Sequence, residues 1–98
     1  SNDSPVYPGL FIFFCCHEDN SIAVEYANER LSKQYNQDFS SMIDKYAIAG
    51  DPDRCSERLR EYIDAGARTV ILSAASPMSY VETAESFMAQ EVLPRFQA

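Results

Sequence analysis

The sequence predicts an α/β protein in which parallel strands alternate with helices. The prediction depends on an uninterrupted apolar run, Leu10 to Cys16, and on two shorter strand-like segments, 46–49 and 70–72, each followed by a helical pattern. Strands and helices that alternate through short connections are typical of parallel sheets, whose crossovers are right-handed almost without exception. We therefore expect the order βαβαβα within one domain over residues 1–98.

Composition limits the classes of protein to which the chain can belong. With 46% apolar residues it should fold as one globular unit. The net charge of -7 and eight dispersed basic residues argue against nucleic-acid binding. No apolar run approaches the roughly 20 residues of a membrane span. We expect a soluble, cytoplasmic protein with no membrane partner, and we treat residues 1–7 as a tag remnant or flexible lead.

The first unit begins with Leu10 to Cys16, which lacks period-two alternation, as expected for a strand covered on both faces. A helix is predicted over residues 21–35, because an apolar stripe recurs there every four residues: Ala23, Ala27 and Leu31. Asp19 or Asn20 is its predicted N-cap. Asn36, which tolerates the left-handed conformation, is its predicted stop.

The second unit follows a linker, 37–44, with a short strand over 46–49 that Gly50 ends. The pair Asp51-Pro52 predicts a helix start, because Asp caps free N–H groups and Pro at the first helical position loses no hydrogen bond. This helix carries one apolar stripe: Cys55, Leu59, Tyr62 and Ile63. Gly66 is its predicted stop.

The third unit combines a strand over 70–72, a small-residue loop over 73–77 and a last helix over 79–93. One face of that helix is apolar: Val81, Ala84, Met88 and Val92. Pro94 should close it.

The ordered segments Tyr46 to Pro52, Arg58 to Ala67 and Val70 to Leu72 resemble the late barrel units of the luciferase-like monooxygenase family. Residues 91–96 are similar to that family's closing helix. The block from residue 10 to 39 is similar to the deazaflavin-using branch. No one of these segments is diagnostic, and the resemblance depends on their order along the chain.

The resemblance implies a flavoprotein oxidoreductase built as a (β/α)8 TIM barrel, of which this chain would be the last three units. The family binds FMN or a deazaflavin coenzyme at the C-terminal strand ends and transfers a hydride or activates oxygen. A full barrel needs about 250 residues. We therefore expect this fragment to be inactive alone and to bind no cofactor.

Other readings remain open. Three units leave two unpaired strand edges, so the chain should form a homo-oligomer through them. The first alternative is accordingly a small self-associating β/α interaction module without catalytic activity. A third possibility is a small open sheet that binds a ligand at its strand ends, although the chain lacks a Gly-rich phosphate loop.

Three residues are candidates for cofactor contact because they follow predicted strands, where such barrels carry their chemistry: His17, Gly50 and Ser73. His17 is the one histidine of the chain and could hydrogen-bond a flavin through its ring nitrogens, although a surface histidine explains it as well. Gly50 could let a helix start cradle a phosphate, but the Asp51 carboxylate would repel an anion. Ser73 opens a small-residue loop that a planar ring could approach. We predict no catalytic residue.

The three cysteines, Cys15, Cys16 and Cys55, are predicted to be reduced packing residues. Adjacent residues of a strand point to opposite faces, which disfavours a disulfide framework, and burial in an apolar strand should raise the pKa of Cys15 and Cys16. One histidine and no CxxC spacing argue against a zinc site. Several aromatic residues are assigned to the core rather than to a flavin-stacking box: Phe11, Phe13, Phe14, Tyr46, Tyr62, Phe87 and Phe96.

Overall fold

The computed structural model describes residues 10–96. Its regular elements are β1 (Leu10–Cys16), α1 (Asn20–Tyr35), α2 (Ile43–Tyr46), β2 (Ala47–Gly50), α3 (Pro52–Asp64), β3 (Val70–Ala74) and α4 (Val81–Phe87). A 3-10 turn, Met78–Tyr80, precedes α4, and a π-helical turn, Met88–Val92, and a 3-10 turn, Leu93–Phe96, follow it. The α/β class is thus confirmed. Within residues 10–96 no helix combines the length and apolar character that a membrane crossing requires.

The three strands form one parallel sheet in the order β2-β1-β3. Pairing with β2 covers the second half of β1, from Phe13 opposite Ala47 onward, and pairing with β3 begins at Leu10 opposite Val70. Three consecutive barrel strands would each pair with the next one along the chain. Three consecutive barrel units would place β2 in the centre. Here β1 is central, because the chain crosses back over β1 before it forms β3. The order is that of a small open sheet.

Helices cover both faces of the sheet, which explains why β1 has no polar side. On one face, α3 and the C-terminal helical segment bury a cluster of apolar residues: Ile12, Phe14, Cys16, Ile48, Cys55, Leu59, Ala84, Met88 and Val92. On the other, α1 and α2 bury a second cluster: Cys15, Ala23, Ala27, Leu31, Phe39, Ile43, Ala47, Ala49 and Ala75. The crossover from β1 to β2 and the crossover from β2 to β3 run in opposite directions across the sheet, so right-handed connections place α1 and α3 on opposite faces.

The predicted helix boundaries are confirmed where a capping residue defines them. The Asp19 carboxylate accepts hydrogen bonds from two backbone N–H groups of the first turn of α1. Asn36 ends that helix in the left-handed conformation, with φ of 55°. Asp51 caps α3 ahead of Pro52. Gly66, with φ of 111°, follows the last turn of α3, a backbone conformation that glycine adopts at little cost.

Three predicted boundaries are wrong. Tyr46 belongs to the short helix α2, and the strand that follows runs to Gly50. Strand β3 continues to Ala74, because its pairing with β1 reaches Phe14, so Ser73 lies in the strand rather than in a loop. The last helix is not uniform, and Pro94 lies inside its final 3-10 turn. Pro94 has no N–H for the carbonyl four residues earlier, which accounts for the change of helical type near it.

Candidate functional site

A candidate site lies at the carboxyl ends of β1 and β3. After β1 the chain turns to α1 on one face, and after β3 it turns to the C-terminal helical segment on the other. The two loops therefore lead to opposite faces of the sheet, and we call the region between them the crevice. In open parallel sheets, ligands bind at this kind of topological switch point.

His17 is the first residue after β1, and two hydrogen bonds hold it at the crevice. Its backbone N–H donates to the Gly50 carbonyl at 3.0 Å, which continues the β1-β2 pairing. Its ring Nδ1 accepts a hydrogen bond from the Asp19 N–H at 2.9 Å. A neutral imidazole that accepts through Nδ1 carries its proton on Nε2. His17 therefore offers Nε2–H as a donor.

Two tyrosines pack around His17 and form with it a three-ring cluster, which we call the aromatic triad (His17, Tyr26 and Tyr80). Tyr80 stacks on the imidazole, with ring centres 5.2 Å apart and planes 29° from parallel. Tyr26, from α1, meets His17 edge-on at 5.8 Å and Tyr80 at 5.2 Å. The triad joins both loops of the crevice, because Tyr80 follows β3 and His17 follows β1.

The Tyr80 hydroxyl group fixes its ring by donating to the Cys16 carbonyl at 2.9 Å. Burial raises the pKa of Tyr80 to about 12, and the nearby thiols of Cys15 and Cys16 act in the same direction. Tyr80 is therefore a neutral hydrogen-bond donor at physiological pH. The stacked ring restricts His17 from one side, so the imidazole is oriented before any ligand arrives.

Arg30 connects α1 to the loop after β3. Its Nη1 donates to the Ser76 carbonyl at 3.3 Å and lies 3.4 Å from the Met78 sulfur. Arg30 follows Tyr26 by one helical turn, so both side chains reach the loop from the same side of α1. Ser76 itself is fully buried. These contacts hold the β3 side of the crevice in place.

Gly50 lies next to His17, but protein atoms fill the space above it. A Cβ built on Gly50 would lie 2.8 Å from Arg54 side-chain atoms and from Asn20 Oδ1. Asn20 Oδ1 accepts from the Asp51 N–H at 2.7 Å, and Asp51 accepts from the Arg54 N–H at 2.9 Å. The close approach explains the glycine by packing, and the helix start is occupied by its own cap.

Ser73, the third predicted cofactor contact, does not lie beside His17 and Gly50. It pairs with Phe13 inside the sheet, four positions before His17 along β1. The crevice residues that sequence reasoning missed are Tyr26 and Tyr80. The spacing of Tyr26 and Arg30, i and i+4 beside the alanine stripe of α1, was the sequence feature that could have indicated Tyr26. No sequence feature indicated Tyr80.

The cysteines behave differently from one another. Burial raises the pKa of Cys15 to about 12, as predicted. The prediction for Cys16 is wrong, because a hydrogen bond with Cys55 lowers the pKa of Cys16. All three thiols are free and buried. Among residues 10–96 no group of three or more His, Cys, Asp or Glu side chains is placed to hold a metal ion.

Two cavities lie away from the aromatic triad. One, of about 590 Å³, is at the amino ends of the strands, between Leu10, Tyr62 and the turn at Gly66. The other, of about 390 Å³, lies between α1 and the start of α3, beside Arg54. Arg54 pairs there with Asp44 at 3.3 Å, so its charge is already compensated. Neither cavity is lined by a member of the aromatic triad.

Comparison of the chain with protein-family models, with curated proteins and with solved structures found no match.

Proposed function

We propose that the chain supplies β/α units of a luciferase-like oxidoreductase that uses FMN or a deazaflavin coenzyme, and that it is inactive alone. The sequence segments described above motivate the family. The observation that carries the site is the aromatic triad at the carboxyl ends of two neighbouring parallel strands, the end at which β/α barrels carry their chemistry. Bound there, the cofactor would supply hydride transfer or oxygen activation.

The proposal places specific demands on the strands. In a (β/α)8 barrel each strand pairs with the next one along the chain, so β2 would lie between β1 and β3. Strand β3, which pairs with β1 over five positions, would have to leave β1 and pair with β2. The edge of β1 that β3 vacates would pair with a strand from outside this chain. The barrel form of the proposal therefore requires β3 to change partners in a longer protein.

The triad fits part of such a cofactor. The Nε2–H of His17 suits a carbonyl or ring nitrogen of a planar ring, and Tyr80 covers one face of the imidazole. A phosphate group of the cofactor has no free cationic partner in Arg30, because Arg30 already contacts Ser76 and Met78. Of the three predicted cofactor contacts we retain His17, because Gly50 is covered and Ser73 lies within the strand. The remaining contacts would come from other barrel units.

The test compares this chain with the product of its full reading frame. Each is purified with FMN or deazaflavin added, and absorbance is recorded across the peak from light scattering. The proposal expects a longer product of about 250 residues that retains colour, and a 98-residue chain that does not. Colour on the short chain would refute its inactivity. A longer product that binds neither cofactor would refute the family.

A residue-level test uses the longer product. Replacing His17 by alanine removes one hydrogen bond to the ring, and we expect FMN or deazaflavin to bind about threefold to tenfold more weakly. Glu18→Ala is the matched control, because Glu18 is the exposed neighbour of His17. Equal losses in the two variants would contradict the assignment of His17.

The second candidate function is a self-associating β/α module without catalysis. It is favoured by Phe11 and Ile71, partners across β1 and β3, which are 56% and 45% exposed on the face that α1 leaves uncovered. An exposed apolar patch of this kind marks a surface that another chain can cover. Missing units could cover the same patch in the first proposal, so measurement has to separate the two.

Light scattering over a range of concentrations provides that separation. The module predicts a dimer or larger assembly that Ile71→Lys dissociates, whereas Ile63→Lys on α3 leaves it intact. Ile63 is a suitable control because it is 37% exposed and lies on a different surface. A wild-type chain that stays monomeric would count against the module, as would equal effects of the two lysines.

A further inference from the structure

Two of the three cysteines share one side of the sheet. Cys16 and Cys55 belong to the cluster under α3, whereas Cys15 belongs to the cluster under α1. All three side chains are fully buried, so their exposure does not distinguish them. The face of β1 on which each lies separates Cys15 from the other two.

Backbone contacts place the Cys55 sulfur beside Cys16. It lies 3.5 Å from the Gly50 carbonyl oxygen and 4.0 Å from that of Cys15. Gly50 is the partner of Cys16 across the sheet, and the Cys15 carbonyl belongs to the peptide group that leads into Cys16. Both carbonyls therefore adjoin Cys16, so the Cys55 sulfur lies beside Cys16 on the same face of the sheet, where the two thiols interact.

This contact makes the two thiols chemically unequal. The hydrogen bond lowers the pKa of Cys16 and raises that of Cys55. The adjacent Cys15 has no such partner among the described contacts of its thiol, and burial raises its pKa to about 12. Because the thiolate is the form that reacts with oxidants, Cys16 is the thiol of β1 more readily attacked.

We propose that Cys16 and Cys55 form a peroxide-sensitive dithiol that closes to a disulfide between the end of β1 and the first turns of α3. The inference is independent of the proposed oxidoreductase activity. It concerns a modification of the chain itself, with a peroxide as the oxidant.

The reaction balances in two steps. The Cys16 thiolate attacks one oxygen of hydrogen peroxide, the O–O bond breaks, and the departing hydroxide takes a proton to become water, leaving a sulfenic acid. The Cys55 thiol then loses its proton, and its sulfur attacks the Cys16 sulfur, so that the S–S bond forms as the S–O bond breaks. The released hydroxide takes up that proton. In total, two thiols are oxidised and one peroxide is reduced to two waters.

Burial adds a requirement on the oxidant. Both sulfurs are buried in the folded chain. An oxidant therefore reaches them only if it is small or if the surrounding structure opens locally. Hydrogen peroxide should therefore oxidise the pair at least about tenfold faster than oxidised glutathione, which has to approach with a bulky group on each sulfur. Equal rates with the two oxidants would contradict a reaction inside the fold.

Peptide mapping of the wild-type chain decides which sulfurs join. After peroxide treatment, free thiols are alkylated in denaturant and the chain is cut with trypsin. Cleavage after Arg30, Arg54 and Arg58 leaves both β1 cysteines in peptide 1–30 and Cys55 in peptide 55–58. We expect the two peptides to be linked, with fragmentation placing the bond on residue 16 and the alkyl group on residue 15.

Several results would overturn the proposal: a bond within peptide 1–30, a bond from Cys15 to Cys55, or added oxygens without any link. Oxidation in guanidinium is the control, since unfolding should abolish the preference for Cys16 over its neighbour. A preference that persists in denaturant would mean that the fold does not select the pair.

Variants add a second line of evidence. Cys15→Ala should leave the link unchanged, whereas Cys16→Ala and Cys55→Ala should each abolish it. Circular dichroism reports whether each variant folds. If one variant does not fold, the wild-type peptide map still shows which two cysteines are linked. Loss of the link in folded Cys15→Ala would refute the assignment.

Discussion

Replacing Leu31 by alanine should be among the most destabilising single changes in this chain. Leu31 is a fully buried residue of α1 that packs in a cluster consisting mainly of alanines. Small neighbours such as Ala23 and Ala27 cannot extend into the space that the leucine vacates. Leu→Ala substitutions in cores cost about 2.7 to 5 kcal/mol, with the larger values where the cavity persists. We expect a loss of about 4 to 5 kcal/mol here, in the upper part of that range.

Such a loss is large for a chain of this size. Domains gain about 0.05 to 0.15 kcal/mol per residue, which gives about 5 to 15 kcal/mol for 98 residues. In urea unfolding followed by circular dichroism, the midpoint should fall with little change in slope. Leu93→Ala is the matched control, because Leu93 is 37% exposed and the same substitution should cost about 1 kcal/mol or less. Equal midpoint shifts for the two variants would refute the placement of α1 on the sheet.

Three further changes test the crevice and the start of α3. In Tyr80→Phe, the free energy of unfolding should fall less steeply with rising pH above about pH 10 than in the wild type. The raised pKa favours neutral Tyr80 in the fold, so its stabilisation is complete below about pH 10, the ordinary tyrosine value, and is lost as pH rises through about 12. A wild-type slope between these values in the variant, measured by urea midpoints, would contradict this. Gly50→Ala should destabilise by about 1 to 3 kcal/mol, since its Cβ would meet Arg54 and Asn20 at 2.8 Å. An unchanged melting temperature would show that the Arg54 and Asn20 side chains can move aside without a cost in stability. Asp51→Ala should cost about 1 to 2 kcal/mol by removing the α3 cap and its link to Asn20, and Asp51→Asn much less. Equal costs in thermal unfolding would mean that capping is not the reason.

Local features of the fold were predictable from sequence because single residues determine them. Strand β1 has seven residues without a polar one, which indicates a strand covered on both faces, as it is from Ile12 onward. The helix starts follow from Asp19 and Asp51, whose carboxylates can satisfy free N–H groups. The helix end at Asn36 follows from its tolerance of positive φ. These assignments need no knowledge of neighbours in space.

Relations between distant segments were not predictable in the same way. Apolar patterns tell which residues are buried but not which strands adjoin, so the position of β3 beside β1 had no signal in the sequence. The aromatic triad combines His17 with Tyr26 and a tyrosine more than fifty positions further along the chain. The lowered pKa of Cys16 likewise depends on Cys55, which β2 and the start of α3 bring to it. Each of these features arises from the topology.

The central position of β1 has a consequence for how the chain reaches its fold. Leu10 pairs with Val70, so the two partners are separated by about sixty positions of chain. During synthesis β1 emerges first, yet it gains its second neighbour only after α3 has been made. Contacts between such distant segments carry a large loop-closure cost and slow folding. Until β3 arrives, the most apolar segment of the protein presents an open edge, and this interval is when a nascent chain is most exposed to wrong pairing and to chaperones.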